Sequence, residues 1–170
     1  MDDTSPVPLD AETKVAERPH DHHAELRLWL RLLTCTTLIE GEVRRRLRDS
    51  FELTLPRFDL MAQLDKAPGG MTLGELSSRM MVSNGNVTGL AERLVAEGLL
   101  DRRASPNDRR AQLVSLTADG RRAFRSAARA HEDWIAEIFA ELSAGEIEMI
   151  MQLLARAKKS VRKAVGREQP

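Results

Sequence analysis

Ser83, Asn84, Asn86 and Thr88 lie close together in this chain of 170 residues. Arg102, Arg103, Arg109 and Arg110 follow in one short stretch, opposed only by Asp108. An asparagine amide carries a donor and an acceptor in one plane and can pair bidentately with adenine. A threonine offers a hydroxyl or a methyl to a base edge. Arginine on a loop suits the deep negative potential of a narrow A·T-rich minor groove. Together these residue types point to recognition of duplex DNA. Asn84, Asn86 and Thr88 would face bases, the amides following Ser83 would hold a phosphate, and Arg93 is better placed for the backbone. On an isolated amphipathic helix the same polar residues would be read as solvated surface. The basic loop that follows favours DNA.

The neighbouring pattern supplies the elements that would hold these groups. Thr72-Leu73-Gly74-Glu75 is a capping box, in which the threonine accepts from a first-turn amide and the glutamate reaches back. It predicts a short helix to about Met80. Ser83 is a second N-cap, and Val87, Leu90, Ala91 and Leu94 share one face of the helix that follows, closed by Gly98. Two strands are expected near residues 99–103 and 112–116, joined by Ser105-Pro106-Asn107-Asp108-Arg109-Arg110, a loop by composition. Helix, turn, helix, strand, basic loop, strand is the order of a winged helix-turn-helix.

Residues 1–21 hold scattered prolines and charges and read as a disordered tail. A long helix is expected from His23 to Arg48, with Leu26, Trp29, Leu30, Leu33, Ile39, Val43 and Leu47 apolar and Leu28 and Leu32 on an adjoining stripe. That surface is too wide for one neighbour. Thr54-Leu55-Pro56 starts another helix, carrying Phe58, Met61 and Leu64 and stopped by Pro68-Gly69-Gly70. Beyond the hairpin, Thr117 caps a helix bearing Phe124, Ala128, His131, Ile135, Ile138 and Leu142. A second capping box, Ser143-Ala144-Gly145-Glu146, opens a last helix with Ile147, Ile150, Leu154, Ala157 and Val161. The expected fold is mainly α with a small β-hairpin wing: one domain over 22–170, with a DNA-binding lobe at 54–116 flanked by long helices at 22–50 and 117–164.

Four segments resemble the MarR family of bacterial regulators. They are Ser83-Asn84-Gly85-Asn86-Val87-Thr88, Leu94-Val95-Ala96-Glu97-Gly98-Leu99-Leu100, Asp108-Arg109-Arg110 and Leu116-Thr117-Ala118-Asp119-Gly120. The resemblance covers roughly residues 24–164. It implies that Arg109 is directed at the minor groove, that Asp108 supports it, and that Ser83–Glu97 is the recognition helix. It also implies that the first and last long helices interlock in a homodimer. Two-fold symmetry then calls for a pseudo-palindromic operator with half-sites ~34 Å apart.

The stretches Leu28–Thr37 and Thr54–Met61 resemble regulators of aromatic-acid degradation, some of which respond to aromatic acyl-CoA thioesters. That likeness implies an aromatic acid, or its thioester, as effector. A pocket lined by Trp29, Phe58 and Met61, with Arg31 or Arg57 meeting a carboxylate, is chemically sensible. Arg44, Arg45, Arg46 and Arg48 could serve CoA phosphates. The plainer alternative makes Trp29, Phe58 and Met61 core and the arginine run a solvated helix face. Repression relieved by ligand is expected ahead of activation.

Other functions find less support. Lys+Arg and Asp+Glu each number 26 and the pI is near 6.9, so any affinity for DNA must come from local basic surface. Cys35 is the lone cysteine, which excludes an intramolecular disulfide and fits a reducing cytoplasm. Oxidant-sensing members of the family stabilise a thiolate with tyrosines. This chain has none, leaving only Arg31, one turn earlier, to assist Cys35. His20, His22 and His23 belong to the tail region and His131 is distant, so neither a metal site nor a cofactor is expected. No Ser-His-Asp ordering, phosphate loop or HExxH pattern indicates an enzyme. There is neither a basic leader nor an apolar run of membrane-spanning length, so a cytoplasmic protein without membrane attachment is expected. A purely structural helical dimer would leave the arginine-rich hairpin unexplained.

Overall fold

A computed structural model describes residues 23–104 and 112–166. The predicted tail at 1–21 lies outside these residues. The chain divides into two compact units, one ending at His131 and the other beginning at Glu132.

The first unit contains α1 (Ala24–Phe51), α2 (Leu55–Asp65), β1 (Met71–Thr72), α3 (Leu73–Met80), α4 (Asn84–Ala96), β2 (Leu100–Ala104), β3 (Gln112–Leu116) and most of α5 (Ala118–Ile138). The local start signals operate as expected. The Thr72 hydroxyl accepts from the Glu75 amide at 3.2 Å, and the Glu75 carboxylate accepts from the Thr72 amide at 2.8 Å. The bond from the Thr72 amide, followed by one that the Thr72 hydroxyl donates at 2.9 Å, holds the Glu75 carboxyl below its usual range. Pro56 sits in the first turn of α2, where its missing N–H costs nothing.

α1 runs past its predicted end to Phe51. It stops where Glu52 turns into the left-handed region at φ 51, with its N–H bonded to the Arg48 and Leu47 carbonyls, and Leu53 then enters the core. α2 ends at Asp65, before the Pro-Gly-Gly stretch.

The three strands form an antiparallel sheet in the order β1-β3-β2. β2 pairs with β3 from Leu100↔Leu116 to Ala104↔Gln112, which is the expected hairpin. β1 was not expected. It has two residues, too few for an alternating pattern, and pairs through Met71↔Val114 and Thr72↔Leu113. Gly70 permits that approach, since a Cβ there would lie 2.8 Å from the Val114 carbonyl oxygen.

Leu47 of α1, Leu60, Met61 and Leu64 of α2, Leu76 of α3, Val87 and Leu94 of α4 and Val114 of β3 are fully buried together. Each large apolar side chain so covered is worth about 1.5–3 kcal/mol. The helix-turn-helix is thus anchored by one face of every helix in the lobe. Phe124 and Ala127 of α5 are also buried in this unit.

The second unit contains the end of α5 and α6 (Ala144–Val165). Leu142, expected on the fifth helix, falls in the turn before α6. The Ser143 box forms, with the Glu146 amide 3.3 Å from the Ser143 hydroxyl and the return bond at 2.8 Å. No residue of α6 is buried, and Ile147, Ile150, Leu154 and Val161 are exposed. Among the described residues no helix is long and apolar enough to cross a membrane.

Candidate nucleic-acid interface

α4 begins as the capping signal requires. Ser83 is extended at φ −65 and ψ 149, and its hydroxyl accepts from the Asn86 amide at 3.4 Å. Val87, Ala91 and Leu94 hold one face of the helix in the core. The opposite side therefore faces out, and Ser83, Asn84 and Asn86 are all exposed. Their amide and hydroxyl groups stand at the positive end of the helix dipole, a favourable place for a phosphate. Thr88 is half-buried, and its hydroxyl donates to the Asn84 carbonyl at 2.9 Å. Its methyl and lone pairs remain for a base. Arg93 is exposed in the last turn, away from the tip, which suits a backbone contact.

The turn into α4 includes a residue that the sequence reading passed over. Met81 lies in the left-handed region at φ 54 and is 92% exposed. The turn is pinned by the Ser77 hydroxyl, which donates to the Val82 carbonyl at 2.6 Å. A composition-based reading sees only another apolar residue there, and the left-handed backbone carries no sequence signature apart from glycine or asparagine.

β2 is tied near its outer end to the loop that precedes β1. The Arg103 guanidinium donates to the Gly69 carbonyl, and Asp101 accepts from the Arg102 amide at 2.9 Å. Arg102 is half-buried, and its Nε and Nη2 have no hydrogen-bond partner among the described residues. Asp108, Arg109 and Arg110 belong to residues 105–111 and lie outside the described residues.

The residues predicted to hold the aromatic acid separate into three groups. Arg57 and Met61 line a cavity of about 370 Å³, together with Phe51, Glu52, Leu53, Glu97, Leu99, Ala123, Ser126 and Ala127. Phe58 does not line it. That residue is only 7% exposed, with its ring centroid 5.4 Å from Phe124 and 5.2 Å from His131, and it is a core residue. Trp29 and Arg31 are exposed on the first half of α1 and do not line the cavity either.

The arginine run of α1 is already engaged with carboxylates on its own helix. Arg44 bonds Glu40 through Nε at 3.0 Å. Arg45 bonds Glu42 at 2.7 and 2.9 Å and Asp49 at 3.1 Å, and Arg46 bonds Glu42 at 2.5 Å. Arg48 lies 3.9 Å from Asp49. Hydrogen bonds from Arg45 and then Arg46 push the Glu42 carboxyl down to about 2.

Arg57 was expected to meet a ligand carboxylate; within the chain it is paired with Glu97. Nothing in the spacing of two residues so far apart announces this pair. The cavity's other wall residues were likewise unreadable, because α2, the end of α4 and α5 are joined only by folding. Cys35 is exposed on α1, and among the described residues no group of three or more His, Cys, Asp or Glu could hold a metal ion.

Comparison with known proteins follows the same lines. The family model described as MarR family matches residues 53–111. A solved MarR family transcriptional regulator from Silicibacter pomeroyi is 34% identical, with the match covering 85% of this chain and 95% of that one at a TM-score of 0.63. A cysteine-to-serine mutant of MarR from E. coli, solved in complex with operator DNA, is 25% identical. That match covers 74% of this chain and 92% of that one at a TM-score of 0.65. BadR of Rhodopseudomonas palustris, named a transcriptional activatory protein, is 31% identical over 97 residues, which span 56% of this chain and 55% of that protein.

Proposed function

The chain belongs to the MarR family of DNA-binding transcriptional regulators, and from that premise we propose that it is a homodimeric repressor released from its operator by an aromatic carboxylic acid. The observation that carries the effector reading is the cavity of about 370 Å³, whose wall holds apolar side chains and Arg57. Small-molecule sites of this kind are mostly apolar with a few placed polar groups. The volume suits a single-ring acid. A CoA thioester would fit only its acyl group there, and the α1 arginines that would meet its phosphates are paired with carboxylates.

Pairing of two copies is supported by the apolar surface left open on each chain. Leu26, Leu28, Trp29 and Leu33 of α1 and Ile147, Ile150, Leu154 and Val161 of α6 are each more than a third exposed. An apolar helix face left open in this way is a feature of association sites. Two copies would set two α4 tips on successive turns of one DNA face, with Arg109 of each wing in the flanking minor groove. Ligand can release DNA only by binding better to a dimer whose tips no longer match that spacing. The name of BadR favours a second reading, in which the same DNA-bound dimer activates.

The test is an operator selected from random duplex DNA and titrated at fixed salt. Benzoate or a hydroxycinnamate is expected to release it. Arg109→Ala is expected to weaken binding by about 1–3 kcal/mol while the dimer persists. Operator binding unaffected by every aromatic acid and thioester in a broad panel would remove the effector. Full affinity in Arg109→Ala would remove the wing.

A further inference from the structure

We propose that the Arg57–Glu97 ion pair is a latch, opened when a carboxylate ligand takes Arg57, and that its opening loosens the joint between recognition helix and wing. The inference rests on the cavity being the effector site and specifies how that site is regulated.

The joint is short. Glu97 is the C-cap of α4, its N–H bonded to the Arg93 carbonyl at 3.0 Å; Gly98 follows at φ 73, then Leu99, and β2 starts at Leu100. Glu97 and Leu99 both line the cavity. One side of the joint is clamped by the start of α5. The Thr117 hydroxyl donates to the Gly98 carbonyl at 2.8 Å, and Gly120 approaches Leu99 so closely that a Cβ would lie 2.0 Å from its carbonyl oxygen. From the α2 side, Arg57 holds Glu97.

The two partners are unequally buried. The Arg57 side chain is 13% exposed and that of Glu97 is 46% exposed. A cation as covered as Arg57 requires an anion beside it, because an unpaired buried charge is costly. The half-exposed Glu97 can return to water at little cost. Exchange of Glu97 for a ligand carboxylate therefore keeps Arg57 neutralised and leaves the charge of the wall unchanged.

The donors favour the exchange. Glu97 accepts from Arg57 Nη2, while Arg57 Nε is buried without a hydrogen-bond partner among the described residues. Nε–H and Nη2–H form one edge of the guanidinium fork, which a planar carboxylate can engage with both oxygens. A ligand acid would then make two charge-assisted bonds where Glu97 makes one. Once Glu97 leaves, the joint retains its α5 clamp and loses its α2 clamp.

The experiment uses the full chain, with benzoate as probe, and reads three things: hydrogen exchange of the amides at 97–101, benzoate affinity and operator affinity. Glu97→Gln should speed that exchange and weaken operator binding without any ligand. It should also bind benzoate about tenfold tighter, since Arg57 has lost its internal competitor. Arg57→Lys keeps the charge and loses the fork, so it should bind benzoate about tenfold more weakly. In the unmodified protein, benzoate should speed exchange at the same amides. If Glu97→Gln has normal exchange and normal operator affinity without ligand, the latch is overturned. If that ligand-free arm succeeds while no aromatic acid releases the unmodified protein from DNA, the latch stands and the aromatic effector falls.

Discussion

α4 and α6 begin alike and finish in opposite conditions. Each starts at a serine whose hydroxyl accepts from the amide three residues on, Ser83 from Asn86 and Ser143 from Glu146. Yet α4, with 13 residues, buries Val87, Ala91 and Leu94, and α6, with 22, buries none. Both carry an apolar face at helical spacing. The difference is what meets that face. α2, α3 and the sheet supply a cover for α4 within the same lobe, whereas Ile150 and Leu154 stay open in the single chain. A helix's start is therefore a local property, and its burial depends on surfaces contributed by other parts of the chain or by another copy. α4 is held by its own lobe, and the apolar face of α6 stays open, as the proposed dimer requires.

The largest effect should come from the covered helix. Leu94→Ala removes a fully buried side chain and should cost about 2–5 kcal/mol in urea unfolding. A cost below 1 kcal/mol would mean that α4 is not held as described.

The exposed helix should respond in a different observable. Leu154→Asp should leave the lobe folded and weaken self-association roughly tenfold to a hundredfold, as loss of about 1.5–3 kcal/mol of burial requires. Sedimentation at a series of concentrations measures this, and an unshifted dimer would move the interface elsewhere.

Ser83→Ala and Ser143→Ala should each cost about 1 kcal/mol, since each removes the hydroxyl that accepts from an amide of the first helical turn. Thermal unfolding of both variants checks it, and a cost confined to one helix would contradict the claim that the starts are local.

The smallest effect concerns Asp59. Asp59 is exposed, and partial desolvation raises its carboxyl above the usual range, opposed by the charges of His131 and Arg44 and reinforced by Glu40. Folding therefore favours the protonated form. The contribution to stability is complete at low pH and is lost as pH rises through the folded value. Asp59→Asn should melt slightly higher than the unmodified chain at about pH 7 and equally at about pH 3. A difference of the same size at both values would assign the effect to something other than ionisation.

Much of the lobe was legible because its signals are local. The Thr72–Glu75 box marked where α3 starts, Ser83 marked α4, and Gln112–Leu116 alternated as a strand. The outward polar residues of α4 followed from its buried face. The cavity was only partly legible. Arg57 and Met61 lie on its wall, but Phe58, one residue from Arg57, turns into the core, and Trp29 remains exposed. Composition marks an aromatic as apolar and cannot distinguish core from pocket lining. β1 escaped because two residues cannot display a period, and it exists only where β3 passes Gly70.

The sequence by itself determined where the capped helices start and which of their faces are apolar, because a cap hydroxyl and the amide it accepts from are three residues apart and a helical stripe repeats every turn. Tertiary structure alone decided that Arg57 meets Glu97, that Leu99 closes on Gly120 and that the face of α4 is covered while that of α6 is not. Those outcomes join segments far apart in the chain, where contact depends on packing and no local preference specifies the partner.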